Sequence, residues 1–341
     1  MNPIHKIHVP EMRPMLQLEL ERLKHKDVRQ RRMAVRRLFE QNDSAALSAF
    51  LDLLDSDDEW FVDKAVDAIR KWVDAEHRKV VVQLSIRKEE RLRLLAAEIA
   101  PRLGSESLSI LSTLCTDEKD AVRREAWRSR LAVDSGTIPV AIESEDHVVR
   151  KMAISNSGDF DFLENMLQDP HPRVREAALD QMVQVGHIPS TLDGVQDQRL
   201  RQKWAKLKLP EMIASNDEIS ISKLCHNPTA SMRKIIAENL DQVDWFDWSL
   251  FIDAVKQSED SLLLPRLLRS KRGPIADELR LELLNEAEDM ARVRVLEHLH
   301  GREVSTPIAS LLPTLSEDDN PLVAQVALSL MNDSATLGSE V

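Results

Sequence analysis

The chain has 341 residues, 43% of them hydrophobic and 30% charged, with a formal net charge of −12 and no tyrosine. That much apolar material supports a large core, while an acidic average field works against nucleic acids and anionic membranes as bulk partners. Eight glycines are few against an average usage of roughly 7%, which argues against sheet-rich folds with their tight turns and favours helices.

In chain order, residues 1–10, "MNPIHKIHVP", read as a flexible leader without the apolar stretch of a secretory signal. No run approaches the ~18 apolar residues of a membrane span. Cys115 and Cys225 stand alone, offering neither a disulfide framework nor paired metal spacing. A reducing, cytoplasmic setting is the expectation. Residues 22–37 then hold eight Lys or Arg against a single acid, Asp27.

From this point one phrase recurs. Its clearest copy is "DPHPRVREAALDQM" (169–182), with Val174 as anchor, Arg175 next to it, Ala178 four places on and Asp169 five places before. The same template fits at Gln30, Val62, Leu92, Val122, Val149, Leu200, Met232 and Val323, with weaker copies near Leu264 and Val293. Consecutive anchors from Gln30 to Met232 lie 25–32 residues apart, a period that marks stacked helical repeats. Within each copy, offsets 0, +4, +5 and +8 (Val174, Ala178, Leu179, Met182) line one helical face. A preceding apolar stretch such as "FDFLENML" (160–167) supplies the first helix of a hairpin. The loop-like stretches 185–198 and 214–222 are read as long turns inside one domain covering 11–332, followed by a flexible tail, 333–341.

These residues resemble HEAT-type repeats, in particular the short phycobilisome-lyase HEAT-like variety. The resemblance covers about eleven copies between residues 12 and 332 and implies an all-α class: an α-α superhelix, or α-solenoid, of helical hairpins. It also implies a hydrogen-bonded ladder of Asp and Arg between neighbouring repeats. Seven of the first eight anchors are followed by arginine (Arg31, Arg93, Arg123, Arg150, Arg175, Arg201, Arg233), with Asp63 the exception, so these arginines are expected to be structural. On function such a resemblance is nearly silent.

Chemistry is sparse. No nucleophile elbow, P-loop, dinucleotide fingerprint or zincin motif is present. The pairs His5/His8 and His298/His300 lack a Cys or carboxylate at useful metal spacing. The HEAT-repeat deoxyhypusine hydroxylases bind iron through His-Glu dipeptides, and this sequence contains none. No catalytic residue, metal or cofactor is therefore expected.

What remains are exposed positions at +2 and +6 on the second helices: Arg32, Arg36, Lys64, Arg124, Arg128, Lys151, Lys206 and Lys234. Arg29 shares the helical face of Arg32 and Arg36. Acids interrupt the row at Glu98, Glu176, Asp180 and Glu238. HEAT-type arrays place second helices on the concave surface, so the row predicts a positive stripe for an acidic segment of a protein partner; the competing reading is ordinary charge mixing on a solvated face. Trp245 and Trp248 in "DWFDWSLF" (244–251) are either a partner hook or core filling in a first helix. The expected function is a non-enzymatic scaffold or adaptor. The alternatives are nucleic-acid binding, resembling the HEAT-like alkylpurine DNA glycosylases, and a weaker bilin lyase-like role that no cysteine, histidine or aromatic pattern supports.

Overall fold

The computed structural model describes residues 14–192 and 194–337; their regular structure is helical throughout, without a strand among the described residues. The chain divides into two compact units, residues 1–185 and 186–341. In the first, α1 (Pro14–Arg22) pairs with α2 (Val28–Gln41), α3 (Leu47–Leu51) with α4 (Glu59–Trp72), and α5 (Arg78–Ser85) with α6 (Glu90–Ile99). The pattern continues with α7 (Leu108–Leu114) and α8 (Asp120–Val133), α9 (Ile138–Ile142) and α10 (His147–Ser155), and α11 (Phe160–Met166) and α12 (Pro172–Gln184).

The second unit opens on a loop and the single helix α13 (Gln198–Ala214). Next come α14 (Glu218–Leu224), which packs on α13 and α16, and α15 (Ala230–Leu240); three hairpins follow, α16 (Ser249–Lys256) with α17 (Leu263–Leu268), α18 (Pro274–Glu286) with α19 (Asp289–Leu299), and α20 (Thr306–Leu315) with α21 (Pro321–Leu337). Helix α21 runs on past residue 332, while the leader 1–10 and residues 338–341 lie outside the described residues. Second helices of successive repeats lie against one another: α6 on α8, α8 on α10 and α10 on α12, and in the second unit α13 on α15, α15 on α17, α17 on α19 and α19 on α21.

Local chemistry explains the helices. Asp27, Asp58, Asp146 and Asp197 each precede a second helix and accept its early backbone N–H groups, which no intrahelical acceptor can serve. Pro172 stands at the start of α12, where its missing N–H costs nothing. The template's apolar offsets all face inward, since Val174, Ala178, Leu179 and Met182 are fully buried. At +4 the small Ala96, Ala126, Ala153 and Ala178 are fully buried too, so the neighbouring second helix can approach closely at native packing density. The weak copies carry the same logic in a shifted register. Asp260 lies five residues before Pro265 and Arg266 one after it; Ala291 is followed by Arg292, with Val295, Leu296 and Leu299 buried at +4, +5 and +8.

The ladder is present, and its wiring is specific. Arg93 donates from Nε and Nη2 to the Asp117 carboxylate at 2.6 and 3.1 Å, and from Nη1 to the carbonyls of Arg87 and Lys88 at 3.0 and 2.7 Å. Arg150 does the same to Asp169 at 2.8 and 3.0 Å and to the carbonyls of Ser144 and Glu145. The aspartates also accept the amides of Lys119 and His171. Arg233–Asp260 at 2.5 Å and Arg292–Asp318 repeat the arrangement. Arg93 and Arg150 thus take carbonyls from their own turn and the carboxylate from the next, while Arg233 and Arg292 keep the carboxylate.

Two of the template arginines do not complete a rung. Five residues before Val149 stands Ser144, and Arg123 keeps the carbonyl of its own turn, Asp117, at 2.7 Å but pairs with Asp120 in place of a carboxylate from the next repeat. Arg31 makes no ion pair with Asp57, five residues before Val62; it lies over the Phe61 ring, 4.4 Å from its centre, with its Nε buried and without a hydrogen-bond partner. The Arg93 fork holds the Asp117 carboxyl below its ordinary value. Burial opposes ionisation of Asp169, but the Arg150 hydrogen bond and the His171 amide outweigh it and hold that group low as well.

Candidate anion-binding surfaces

The second-helix cations separate into two kinds. Arg32 pairs with Asp58 at 3.1 Å and lies 5.1 Å from the Trp60 ring centre. Lys64 pairs with Asp67 at 2.6 Å, Arg124 with Asp146 at 2.6 Å, Arg128 with Glu125, and Lys234 with Glu238 at 3.6 Å. These charges are met by carboxylates of the chain itself, as charge mixing on a solvated face predicts. Of the interrupting acids, Glu98 is likewise held by Arg70 at 3.0 Å. By contrast, Arg29, Arg36, Lys151 and Lys206 are exposed and have no ion pair among the described residues.

Trp245 is no partner hook. It is fully buried, with ring centres of Phe246 and Phe251 at 4.7 and 5.5 Å, and it sits in the turn before α16 rather than in a helix. Its large apolar surface fills the hairpin, which decides in favour of core filling. Trp248 is half-buried and sets its edge against Phe251 at 5.9 Å.

A denser positive site lies in the second unit, on α15, α17 and α19. A hollow of about 450 Å³ is lined by Arg233, Arg266, Arg269, Arg294 and His298. Its one acid is Glu297, and Leu262 and Pro265 supply apolar wall. Arg233 is held by Asp260 at 2.5 Å, Arg294 by Glu297 at 2.6 Å. Arg266 and Arg269 have no ion pair among the described residues, and Arg266 Nε is buried without a hydrogen-bond partner. Asp260 also keeps one oxygen, Oδ2, buried without a donor.

The surrounding field is positive. Arg302, whose Nη2 donates to the Arg269 carbonyl at 2.5 Å, has its affinity for protons lowered by burial and by the like charges of Arg272, Arg280 and Arg269. Burial, with Arg269 and Arg302 acting in the same sense, lowers the pKa of His298 against the pull of Glu297. An arrangement of this kind attracts an oxyanion. None of Arg266, Arg269, Arg294 or His298 figures among the residues expected from the sequence to bind a partner, because the weak repeat copies hid the register. The available signal was Arg266 at the ladder position with Glu286, not Asp, five residues before Ala291.

Other groups offer no reactive chemistry. Burial pushes the Cys115 thiol up to about 11 and that of Cys225 up to about 12, so neither carries appreciable thiolate near neutral pH. Among the described residues no cluster of three or more His, Cys, Asp or Glu is placed to hold a metal ion, and no helix is long and apolar enough to cross a membrane. Residues 160–187, the repeat of α11 and α12, match the HEAT repeat family model. The match is to the HEAT repeat itself and does not extend to the phycobilisome-lyase subtype. No curated protein matches the chain.

Proposed function

We propose, from the HEAT repeat matched at residues 160–187 and the helical repeats around it, a non-enzymatic adaptor that holds an acidic segment of a protein partner on its second-helix face. The observation carrying this reading is the set of exposed cations, Arg29, Arg36, Lys151 and Lys206, that no carboxylate among the described residues neutralises. A cation already paired within its own chain must give up that pair to bind, whereas these four gain from the first contact. Repeat surfaces bind by summing many modest contacts over successive helices, and exposed cations on the second helices suit an extended acidic peptide. The two buried, unbridged cysteines fit a reducing, cytoplasmic setting.

The test is fluorescence anisotropy with a labelled, aspartate- and glutamate-rich peptide at ~150 mM salt, near physiological ionic strength. Combined R29E, R36E and K151E substitutions weaken binding by about tenfold or more, the loss expected for reversed charges at a binding rim. Reversing Arg124, which is already paired with Asp146, has a smaller effect. Unchanged affinity in the triple variant sinks the proposal. Duplex DNA binds no tighter than the non-specific range of ~10⁻⁴–10⁻⁶ M; tighter binding would shift the assignment to a nucleic-acid-binding protein.

A further inference from the structure

We infer that the hollow between α15, α17 and α19 receives a phosphate monoester, carried on a phosphorylated side chain of the protein partner. The identity of the carrier rests on the adaptor reading above, while phosphate capture itself stands on the geometry of the hollow. Arg266 is central. In the equivalent place Arg93 and Arg150 fork onto Asp117 and Asp169, but the next repeat puts Glu286 there, no ion pair among the described residues joins it to Arg266, and the Arg266 Nε is buried without an acceptor. A buried donor left without an acceptor is destabilising, so a phosphate oxygen bound there acts as the missing rung.

Charge and shape point to phosphate rather than carboxylate. With Arg233 and Arg294 already holding Asp260 and Glu297, Arg266 and Arg269 remain as two uncompensated guanidiniums. A phosphate monoester carries about −1.5 to −2 near neutral pH and offsets both, whereas one carboxylate leaves a charge exposed. Guanidinium forks also present paired donors that suit a phosphate's oxygens. The volume, about 450 Å³, exceeds what the anion alone needs and leaves space for the carrying side chain beside Leu262 and Pro265. A long polyanion is disfavoured by the chain's net charge of −12.

The experiment uses the full chain with inorganic phosphate, followed by ³¹P line broadening and calorimetry. Alongside it run three peptides of one neutral sequence with phosphoserine, glutamate or serine at the centre. Inorganic phosphate binds saturably, and the phosphoserine peptide binds tighter than inorganic phosphate and about tenfold tighter than the glutamate peptide, the scale of one added charge-assisted hydrogen bond. R266M and R269Q each weaken phosphate binding about tenfold on the same scale, R269K retains part of it, and R128Q, in the other unit, changes nothing. Circular dichroism and melting temperature matching the parent establish that the variants fold.

Absent phosphate saturation, equal affinity for the phosphoserine and glutamate peptides, or parent-like binding by folded R269Q overturns the assignment. A phosphopeptide no tighter than inorganic phosphate overturns the partner-borne source. An oligonucleotide that binds tighter than the phosphopeptide, and depends on Arg266 and Arg269, reassigns the site to nucleic acid. The combined R29E, R36E and K151E variant leaves inorganic phosphate binding intact, which separates failure of the adaptor reading from failure of this one.

Discussion

The turn between α11 and α12 and the hollow on α15, α17 and α19 use the same arginine in the same place to opposite effect. At the first, Arg150 is closed off by Asp169 and two carbonyls, with side-chain exposures of 13% and 4% for the pair. At the second, Arg266 keeps a buried Nε without an acceptor beside an exposed, unpaired Arg269. The difference lies in the residue that the next repeat offers, Asp169 in one case and Glu286 in the other. A repeat protein can therefore turn a structural rung into a ligand site by changing one acceptor, without disturbing the apolar face that builds the helix.

The largest effect should come from breaking a complete rung. Asp169→Ala strands the mostly buried Arg150 guanidinium and removes the acceptor for the His171 amide, so it should cost about 3 kcal/mol, at the low end for a broken buried pair. Urea denaturation monitored by circular dichroism measures it; a loss below half that figure would mean the ladder adds little to stability. The pH dependence has a defined sign. The Asp169 and Asp117 carboxyls titrate lower in the folded chain than unfolded, so their stabilisation is present above the unfolded value of ~3.9 and fades as pH falls through the folded value. The stability gap between the parent and Asp169→Asn should accordingly shrink below about pH 4. A gap that stays constant on acidification contradicts the ionic character of the rung.

A smaller effect, of opposite sign, should follow from completing a rung. Ser144 occupies the acceptor position opposite Arg123, and its Oγ accepts the Asp146 amide at 3.2 Å, as Asp169 accepts that of His171. Ser144→Asp keeps that turn and presents a carboxylate to Arg123, which is worth about 0.5–1 kcal/mol for a partly exposed pair. A raised urea midpoint with an unchanged slope is the expected result. No gain would show that the Arg123–Asp120 pair already satisfies the guanidinium.

How much of this was legible in the sequence depends on what repeats. The core face was readable because Val174, Ala178, Leu179 and Met182 recur at fixed offsets, and helical periodicity converts offset directly into burial. The rung arginines were readable for the same reason, although their carboxylate partners lie in the following repeat and not six residues back. Lateral relations were not readable. Arg32 with Asp58 and Arg124 with Asp146 are set by how neighbouring helices stack, so the row of second-helix cations looked more continuous in sequence than it is as charge. For Trp245 core filling was one of two readings, and the pattern did not decide between them because the turn that places it against Phe251 has no period. The arginine hollow was hidden because the repeats at Pro265 and Ala291 depart from the template, which is also what leaves Arg266 without its acceptor.

The smallest stability effect should come from Arg266→Met, and its smallness makes it informative. Methionine retains much of the apolar stem while removing a guanidinium that makes no side-chain hydrogen bond in the described residues, so the change should lie within about 0.5 kcal/mol and lean towards stabilisation, because a buried orphan donor disappears. Arg150→Met, by the same chemistry in the same register, strands the Asp169 carboxylate and should cost several times more. Comparing the two urea midpoints tests whether one sequence position plays two roles. If Arg266→Met destabilises as much as Arg150→Met, Arg266 is a structural rung after all, and the hollow owes its charge to packing. If it is neutral while phosphate binding falls, the arginine is retained for what it binds.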